Sequence, residues 1–232
     1  MIIKCLASGS SGNCYVVSDG TTAVLLDAGI PIQQIRAGTG FSLSAMAGAL
    51  ISHSHGDHCK AVKDLVMAGV DCYGPNDIFS KVKRNWHHCR PTEIMKQYQL
   101  GTLAVMPFDV QHDVENFGYL IKSNITGEQL LYFTDTYYLK YTFPGCTHMM
   151  CECNYDPEVI DENVAAGRIP IEFKKRLVKS HMSIDTLIDF LKANDLSKLK
   201  QIYLLHLSAN NSRENDFKRK IQAVCGCEVY VC

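Results

Sequence analysis

Three histidines and one aspartate fall within six residues in the stretch Ser52-His53-Ser54-His55-Gly56-Asp57-His58, directly after the apolar run Ala49-Leu50-Ile51. Neutral imidazole and carboxylate are the groups that zinc and its neighbours bind. The spacing argues against a helix, because residues i and i+2 point to different faces of a 3.6-residue turn. A strand that ends and turns at Gly56 could aim His53 and His55 at one point, and Asp57 with His58 at another. Two such points a few ångströms apart are the start of a two-metal site. A solvated polar turn is the plain alternative, and it accounts poorly for four ligands at this spacing.

The remaining ligands are sought where apolar strands end, since strand ends along one rim of a sheet converge on a common mouth. His112 follows the strand Leu103–Phe108, Asp135 follows Leu130-Leu131-Tyr132-Phe133-Thr134, and His206 follows Ile202-Tyr203-Leu204-Leu205. Each alone is weak, because a single histidine after a strand is more often a core or surface group. Together with the opening motif they complete two sites: His53, His55 and His112 for one ion, Asp57, His58 and His206 for the other, and Asp135 bridging. Asp27, in Leu25-Leu26-Asp27-Ala28-Gly29, is costly to bury unless it accepts hydrogen bonds. It is either a cap for a helix starting near Pro31 or a brace for the histidine loop, and the completed ligand set favours the brace. His87 and His88, beside Trp86 and Cys89 on a helix end, and His148 read as structural.

The elements that must hold these residues alternate. Strands are expected at 2–6, 13–18 and 22–26, then a helix over Cys59–Met67, a strand Val70–Tyr73 and a helix from Pro75 towards Lys83. Further strands are expected around 98–108, 117–122, 129–134 and 147–153. Helical periodicity follows at Asp156–Ala166, Ile169–Lys179 and Ser183–Ala193. A strand Gln201–Leu205, a helix from Ser212 to Val224 and a strand Glu228–Val231 close the chain. This alternation predicts layered α/β architecture. With 232 residues and no repeat, linker or low-complexity stretch, one domain over 1–232 is expected.

Composition narrows the class. Apolar residues at 47% and charged residues at 20% fit an ordinary globular protein. A net charge of −1 gives no bulk signature of polyanion binding, though bound divalent ions would add charge that the count omits. Neither a secretory signal nor a membrane-spanning run is read, so a cytoplasmic protein away from membranes is expected. The eleven cysteines are odd in number and scattered through apolar strings, which points to reduced, buried thiols. Cys151-x-Cys153 and Cys225-x-Cys227 lack the two-residue spacer of a zinc knuckle. The small-residue loop Ala7–Asn13 could bring Ser10 and Asn13 to an anion, with a tight turn as the alternative.

The string Ser52–His58, preceded by Leu26-Asp27-Ala28-Gly29, resembles the signature of the metallo-β-lactamase-fold hydrolases, and His112, Asp135 and His206 stand where that family's later ligands stand. The resemblance implies a four-layer αββα sandwich in a single domain with a dinuclear site. The bridging position carries Asp135 where many zinc β-lactamases have cysteine, which turns the reading away from antibiotic hydrolysis. Ser8-Gly9-Ser10-Ser11-Gly12-Asn13-Cys14, Glu152-Cys153-Asn154-Tyr155-Asp156, Ser180-His181-Met182-Ser183, and Leu205-His206-Leu207-Ser208 with Asn210-Asn211 resemble the YycJ/WalJ group of DNA exonucleases. Glu152 and His181 also resemble the paired glutamate and histidine of tRNase Z nucleases. Met182 departs from the expected leucine, a swap of similar volume. The absence of an inserted exosite arm weighs against a transfer-RNA-processing role.

Phosphodiester hydrolysis needs a metal-generated hydroxide, stabilisation of developing charge, and a proton for the departing oxygen. Two divalent ions, zinc or manganese, would supply the first two, with Asp57 and Asp135 orienting the attack. His181 held by Glu152 would supply the third. Lys179 and the run Lys174-Lys175-Arg176 would meet a phosphate backbone, or else form a solvated helix face. The expectation is therefore a metal-dependent phosphodiesterase acting on nucleic acid, a DNA exonuclease. Two rivals stay open: a small-molecule hydrolase of the same fold, acting on a thioester, lactone or cyclic nucleotide, and a non-catalytic metal-stabilised binding module.

Overall fold

The structure is a computed structural model that describes residues 1–80, 82 and 86–232. The protein is mixed α/β with its strands in two sheets, and the chain divides into two compact units. The first comprises 1–109 with 114–128, the second 110–113 with 129–232.

The first unit holds strands β1 (Ile2–Ala7), β2 (Cys14–Ser18), β3 (Ala23–Leu26), β4 (Met46–Leu50), β5 (Cys72–Gly74) and β6 (Cys89–Pro91), side by side in chain order. β1 to β3 are antiparallel; β3 to β6 are parallel. Parallel neighbours need crossovers, and the helices α1 (Ile32–Gly38), α2 (Gly56–Cys59) and α3 (Val62–Met67) lie in two of them. Ile32 and Ile35 of α1, with Val62, Leu65 and Val66 of α3, share one buried cluster with Leu25, Ala49, Ile51 and Cys72. The apolar spacing of those short helices is thus spent on covering the sheet. The same unit carries the antiparallel strands β7 (Tyr98–Leu100), β8 (Leu103–Asp109) and β9 (Phe117–Ser123).

The second unit is built on four parallel strands, β10 (Gln129–Phe133), β11 (His148–Glu152), β12 (Gln201–Leu205) and β13 (Glu228–Val231), adjacent in that order. β11 is buried along its whole length, as a central parallel strand should be. Its helices are α4 (Pro157–Ala165), α5 (Ile171–Ser180), α6 (Ile184–Lys192) and α7 (Glu214–Cys225). Asp156 caps α4 by accepting from the Glu158 N–H, and Ser183 caps α6 from the Thr186 N–H. Phe190 of α6 meets Phe133 of β10 edge-on at 5.5 Å between ring centroids.

Three expectations change in detail. The strand expected over 98–108 is two strands, because Gly101 takes a φ of 56° and reverses the chain between β7 and β8. The helix expected from Pro75 is a 3-10 turn over Asn76–Phe79, and its far end at Lys83 lies outside the described residues. The helix expected over Cys59–Met67 is broken at Lys60 and Ala61 into α2 and α3, where the Ala61 N–H leaves the helical ladder for the Ala28 carbonyl.

Candidate metal and catalytic site

In the first unit the histidine loop leaves β4 and is stitched to its neighbours through the backbone. The Asp27 N–H donates to the Leu50 carbonyl, that of Ala28 to His58, that of Asn13 to Asp57 and that of Gly29 to Asn13, all at 2.7–2.9 Å. Gly29 makes this approach possible: a Cβ there would sit 1.6 Å from the Asp57 carbonyl oxygen. His53 and His55 have ring centroids 4.8 Å apart, His53 and His58 4.2 Å, and the Asp57 carboxylate lies 3.6 Å from His58 Nε2.

Asp27 is wholly buried and serves as the brace. Its carboxylate accepts the Ser52 N–H at 2.7 Å, the Ser52 hydroxyl at 3.0 Å and His58 Nδ1 at 2.7 Å. Ser52 Oγ in turn meets His53 Nδ1 at 2.9 Å. With its hydroxyl hydrogen given to Asp27, Ser52 accepts from His53. Both rings then carry their proton on Nδ1 and keep Nε2 as the acceptor nitrogen, which in His58 faces the Asn13 amide at 3.0 Å; a carboxylate orients a metal-binding imidazole in this way. The donor set therefore fits a divalent cation.

The loop before β2 behaves differently from expectation at one residue. Ser10 is exposed and lines an open cavity of about 400 Å³ with Asp57 and Lys60. Asn13 has no exposed atom through which to contact a substrate. Its amide exchanges hydrogen bonds with Gly9 and lies 3.0 Å from His58 Nε2, so it braces the loop and the ring. The polar side chain was legible; its inward direction is set by the Gly9 and Gly12 turn, which sequence spacing does not show.

In the second unit Asp135, Glu152, His181 and His206 offer ligand atoms that all lie within 4.8 Å of one another. Asp135 and His206 each come just beyond a strand end, with φ of 49° and 56°, and Asp27 in the other unit has 54°. A left-handed backbone is uncommon for non-glycine residues and clusters at functional positions. Glu152, at the end of β11, is wholly buried. Its Oε2 accepts the Thr136 N–H at 2.8 Å and the Met182 N–H at 3.3 Å, and its Oε1 lies 2.6 Å from His181 Nδ1. His181 follows the last residue of α5, where the chain turns extended with a φ of −133°. Its ring is 18% exposed and stacks on His206 at 5.2 Å, while His112 lies 6.4 Å away. Met182 is wholly buried.

Lys174 pairs with Asp161 and Lys175 with Glu172, and Arg176 lies over the Phe173 ring. Lys179 is exposed on the last turn of α5, and no acidic partner is found for it among the described residues. His88 is taken up by Asp71 at 2.6 Å, and His148 is buried on β11 with Nδ1 2.8 Å from the Thr147 hydroxyl. Asn154 and Thr136 have roles that the sequence did not assign. The Asn154 amide lies 2.9 Å from His206 Nδ1 and donates to the His206 carbonyl at 2.7 Å. Its position two residues beyond Glu152 was the available signal.

A family model described as the beta-lactamase superfamily domain matches residues 22–206. The chain belongs to that superfamily. Among curated proteins it is 25% identical over 236 residues to "Exodeoxyribonuclease YycJ" of Bacillus anthracis, covering 94% of this chain and 87% of that one. The metallo-beta-lactamase fold protein YhfI from Bacillus subtilis superposes with a TM-score of 0.75 at 15% identity, over 99% of this chain and 95% of its own. Human tRNase Z, short form, does so with a TM-score of 0.67 at 14% identity, over 100% and 96%. The protein is a hydrolase of the metallo-β-lactamase fold, with histidine and aspartate clusters able to bind metal ions. No helix among the described residues is long and apolar enough to cross a membrane.

Proposed function

We propose that the protein is a metal-dependent phosphodiesterase, an exonuclease acting on DNA in the cytoplasm, and that residues 1–232 work as one domain. The observation that carries this reading is the contact of 2.6 Å between His181 and the buried Glu152. A carboxylate beside an imidazole favours its protonated form and fixes the ring. With Nδ1 turned to Glu152, His181 exchanges protons through Nε2, and its partial exposure gives a leaving oxygen access to it. A hydrolase that cleaves a thioester, whose thiolate leaves readily, has less need of a proton donor to the leaving group. A phosphodiester, whose departing alkoxide is basic, benefits from one.

Two divalent ions, zinc or manganese, fit the donor set proposed from the sequence: His53, His55 and His112 for one, Asp57, His58 and His206 for the other, with Asp135 shared. When bound, they supply the attacking hydroxide and stabilise charge on phosphorus. Asp57 and Asp135 orient the attack, Asp27 and Ser52 hold the histidine tautomers, and Ser10 and Lys179 contact the substrate anion. The relationship to an exodeoxyribonuclease supports DNA as the polymer.

The test is to incubate end-labelled single- and double-stranded DNA and RNA with the protein in Zn²⁺ or Mn²⁺ and size the products. Stepwise shortening of DNA is expected. His181→Ala should lower turnover roughly 10²–10⁴-fold with metal content intact. Full activity of that variant removes the general acid, and no cleavage of any polymer moves the reading to a small-molecule substrate.

A further inference from the structure

The loop that leaves Asp135 is held to the catalytic pair. Thr136 donates its N–H to Glu152 at 2.8 Å. Its hydroxyl donates to the Tyr138 carbonyl at 2.8 Å and accepts the Gln111 N–H at 3.1 Å. Two hydrogen bonds therefore fix the backbone of Tyr138 relative to the carboxylate behind His181. The side chains presented by this pinned loop are Tyr137 and Tyr138, 42% and 52% exposed. Large aromatics left in solvent on a braced loop are poor choices for stability and good ones for stacking.

Tyr138 opens onto a cavity of about 340 Å³, within the range of sites that take small flat molecules. One wall is the segment 138–142, which leaves Asp135. The other is α6, which starts three residues after His181 and contributes Thr186, Asp189 and Phe190. Tyr141 adds a second ring, with the Lys140 ammonium 4.9 Å from its centroid. Aromatic faces, one carboxylate and one ammonium make a mixed lining. A free anion would be repelled by Asp189, and an acyl chain would leave that carboxylate unused. A nucleobase uses both, with its π-face on tyrosine and an exocyclic amino group donating to the carboxylate, the pairing aspartate makes with cytosine.

We propose that this cavity is a nucleobase subsite for the nucleotide beside the scissile phosphodiester, with Tyr138 as its stacking platform and Asp189 favouring bases that carry an exocyclic amino group. The inference rests on the phosphodiesterase reading and gives that site a preference at the cleaved end.

Steady-state cleavage of single-stranded oligonucleotides ending in cytosine, thymine or an abasic residue, placed at either terminus, tests it. Tyr138→Ala should raise KM for the cytosine end roughly 5- to 150-fold with kcat kept, and leave the abasic end unchanged, while Tyr138→Phe restores the wild-type value. Asp189→Asn, at an exposed helical position, should erase the preference of cytosine over thymine. Calorimetric titration with deoxycytidine monophosphate reads the subsite without turnover: wild type binds, and Tyr138→Ala binds correspondingly less. Equal binding by the two proteins, no binding by wild type, or an equal KM change on the abasic end overturns the subsite. Wild-type binding of the nucleotide with no cleavage of any nucleic acid overturns the phosphodiesterase reading instead.

Discussion

Replacing Asp27 by Asn changes one atom's hydrogen-bonding sense at the base of the histidine loop. Asn tolerates a left-handed backbone about as well as Asp, so the φ of 54° adds no strain. Three donors converge on the wild-type carboxylate: the Ser52 N–H, the Ser52 hydroxyl and His58 Nδ1. An amide can keep its oxygen on the Ser52 N–H, but its NH₂ then faces the hydroxyl and the imidazole, which were donors. His58 answers by moving its proton to Nε2, and Ser52, turned away, releases His53 to do the same. Loss of one buried charge-assisted hydrogen bond costs about 1.5–3 kcal/mol. At about 2–4 °C per kcal/mol for a chain of this size, the metal-free midpoint should fall roughly 3–12 °C. Metal affinity should fall roughly 10- to 100-fold, because both rings now point a proton at the cation. Thermal unfolding in chelator gives the first number, and competition against a chromophoric chelator gives the second. An unchanged midpoint with affinity within twofold of wild type would refute the assignment of Asp27 as the group that sets the tautomers.

Gly29→Ala should cost at least about 1–3 kcal/mol of stability, since its Cβ meets backbone oxygen, whereas Gly56→Ala, with nothing within 4 Å, should be tolerated; urea unfolding of the two separates them. Cys225 and Cys227 have their sulfurs 3.2 Å apart, and the Cys227 thiol donating to Cys225 pulls the latter down to about 6. Iodoacetamide at pH 7 should therefore label Cys225 ahead of Cys227. The labelling midpoint should lie near pH 6 and move up in Cys227→Ser; a wild-type midpoint at the ordinary thiol value contradicts this. Asp19 is held well below the usual carboxylate range, where the Thr102 and Ser123 hydroxyls and the Thr21 and Thr22 N–H groups outweigh burial, which acts the other way. A lowered folded pKa means that the stability it contributes is complete above the unfolded value of about 4 and drains away as pH falls below it. The stability gap between wild type and Asp19→Ala should accordingly be flat above pH 5 and shrink towards pH 2; a gap that widens on acidification refutes it.

The histidine motif was legible because its residues are near neighbours in the chain; spacing excludes a helix for His53 and His55, whereas Asp57 and His58 lie in the single helical turn α2. Asp135 and His206 were legible as polar residues ending apolar strands, and their left-handed backbones were not, since no spacing rule reports φ. Glu152 was reached through resemblance and turned out to be buried beneath His181. Asn13 was read as facing a substrate because a small-residue loop gives no sign of which side chain turns inward. Thr136 was missed because its work is done by a backbone N–H, which every residue owns. The single strand expected over 98–108 failed at Gly101, where strand-like composition continues on both sides of a tight turn.

A designer asked only to satisfy the backbone would write glycine at 135 and 206. Each position asks for a left-handed turn, and a histidine there forfeits about 1–2 kcal/mol. The chain keeps an aspartate and a histidine at those places. Backbone ease is given up at two strand ends so that a carboxylate and an imidazole can leave them from a left-handed turn. His206→Gly should therefore ease the turn yet remove the buried ring that meets Asn154 and stacks on His181, so the residue that best suits the backbone is the one that least suits its surroundings.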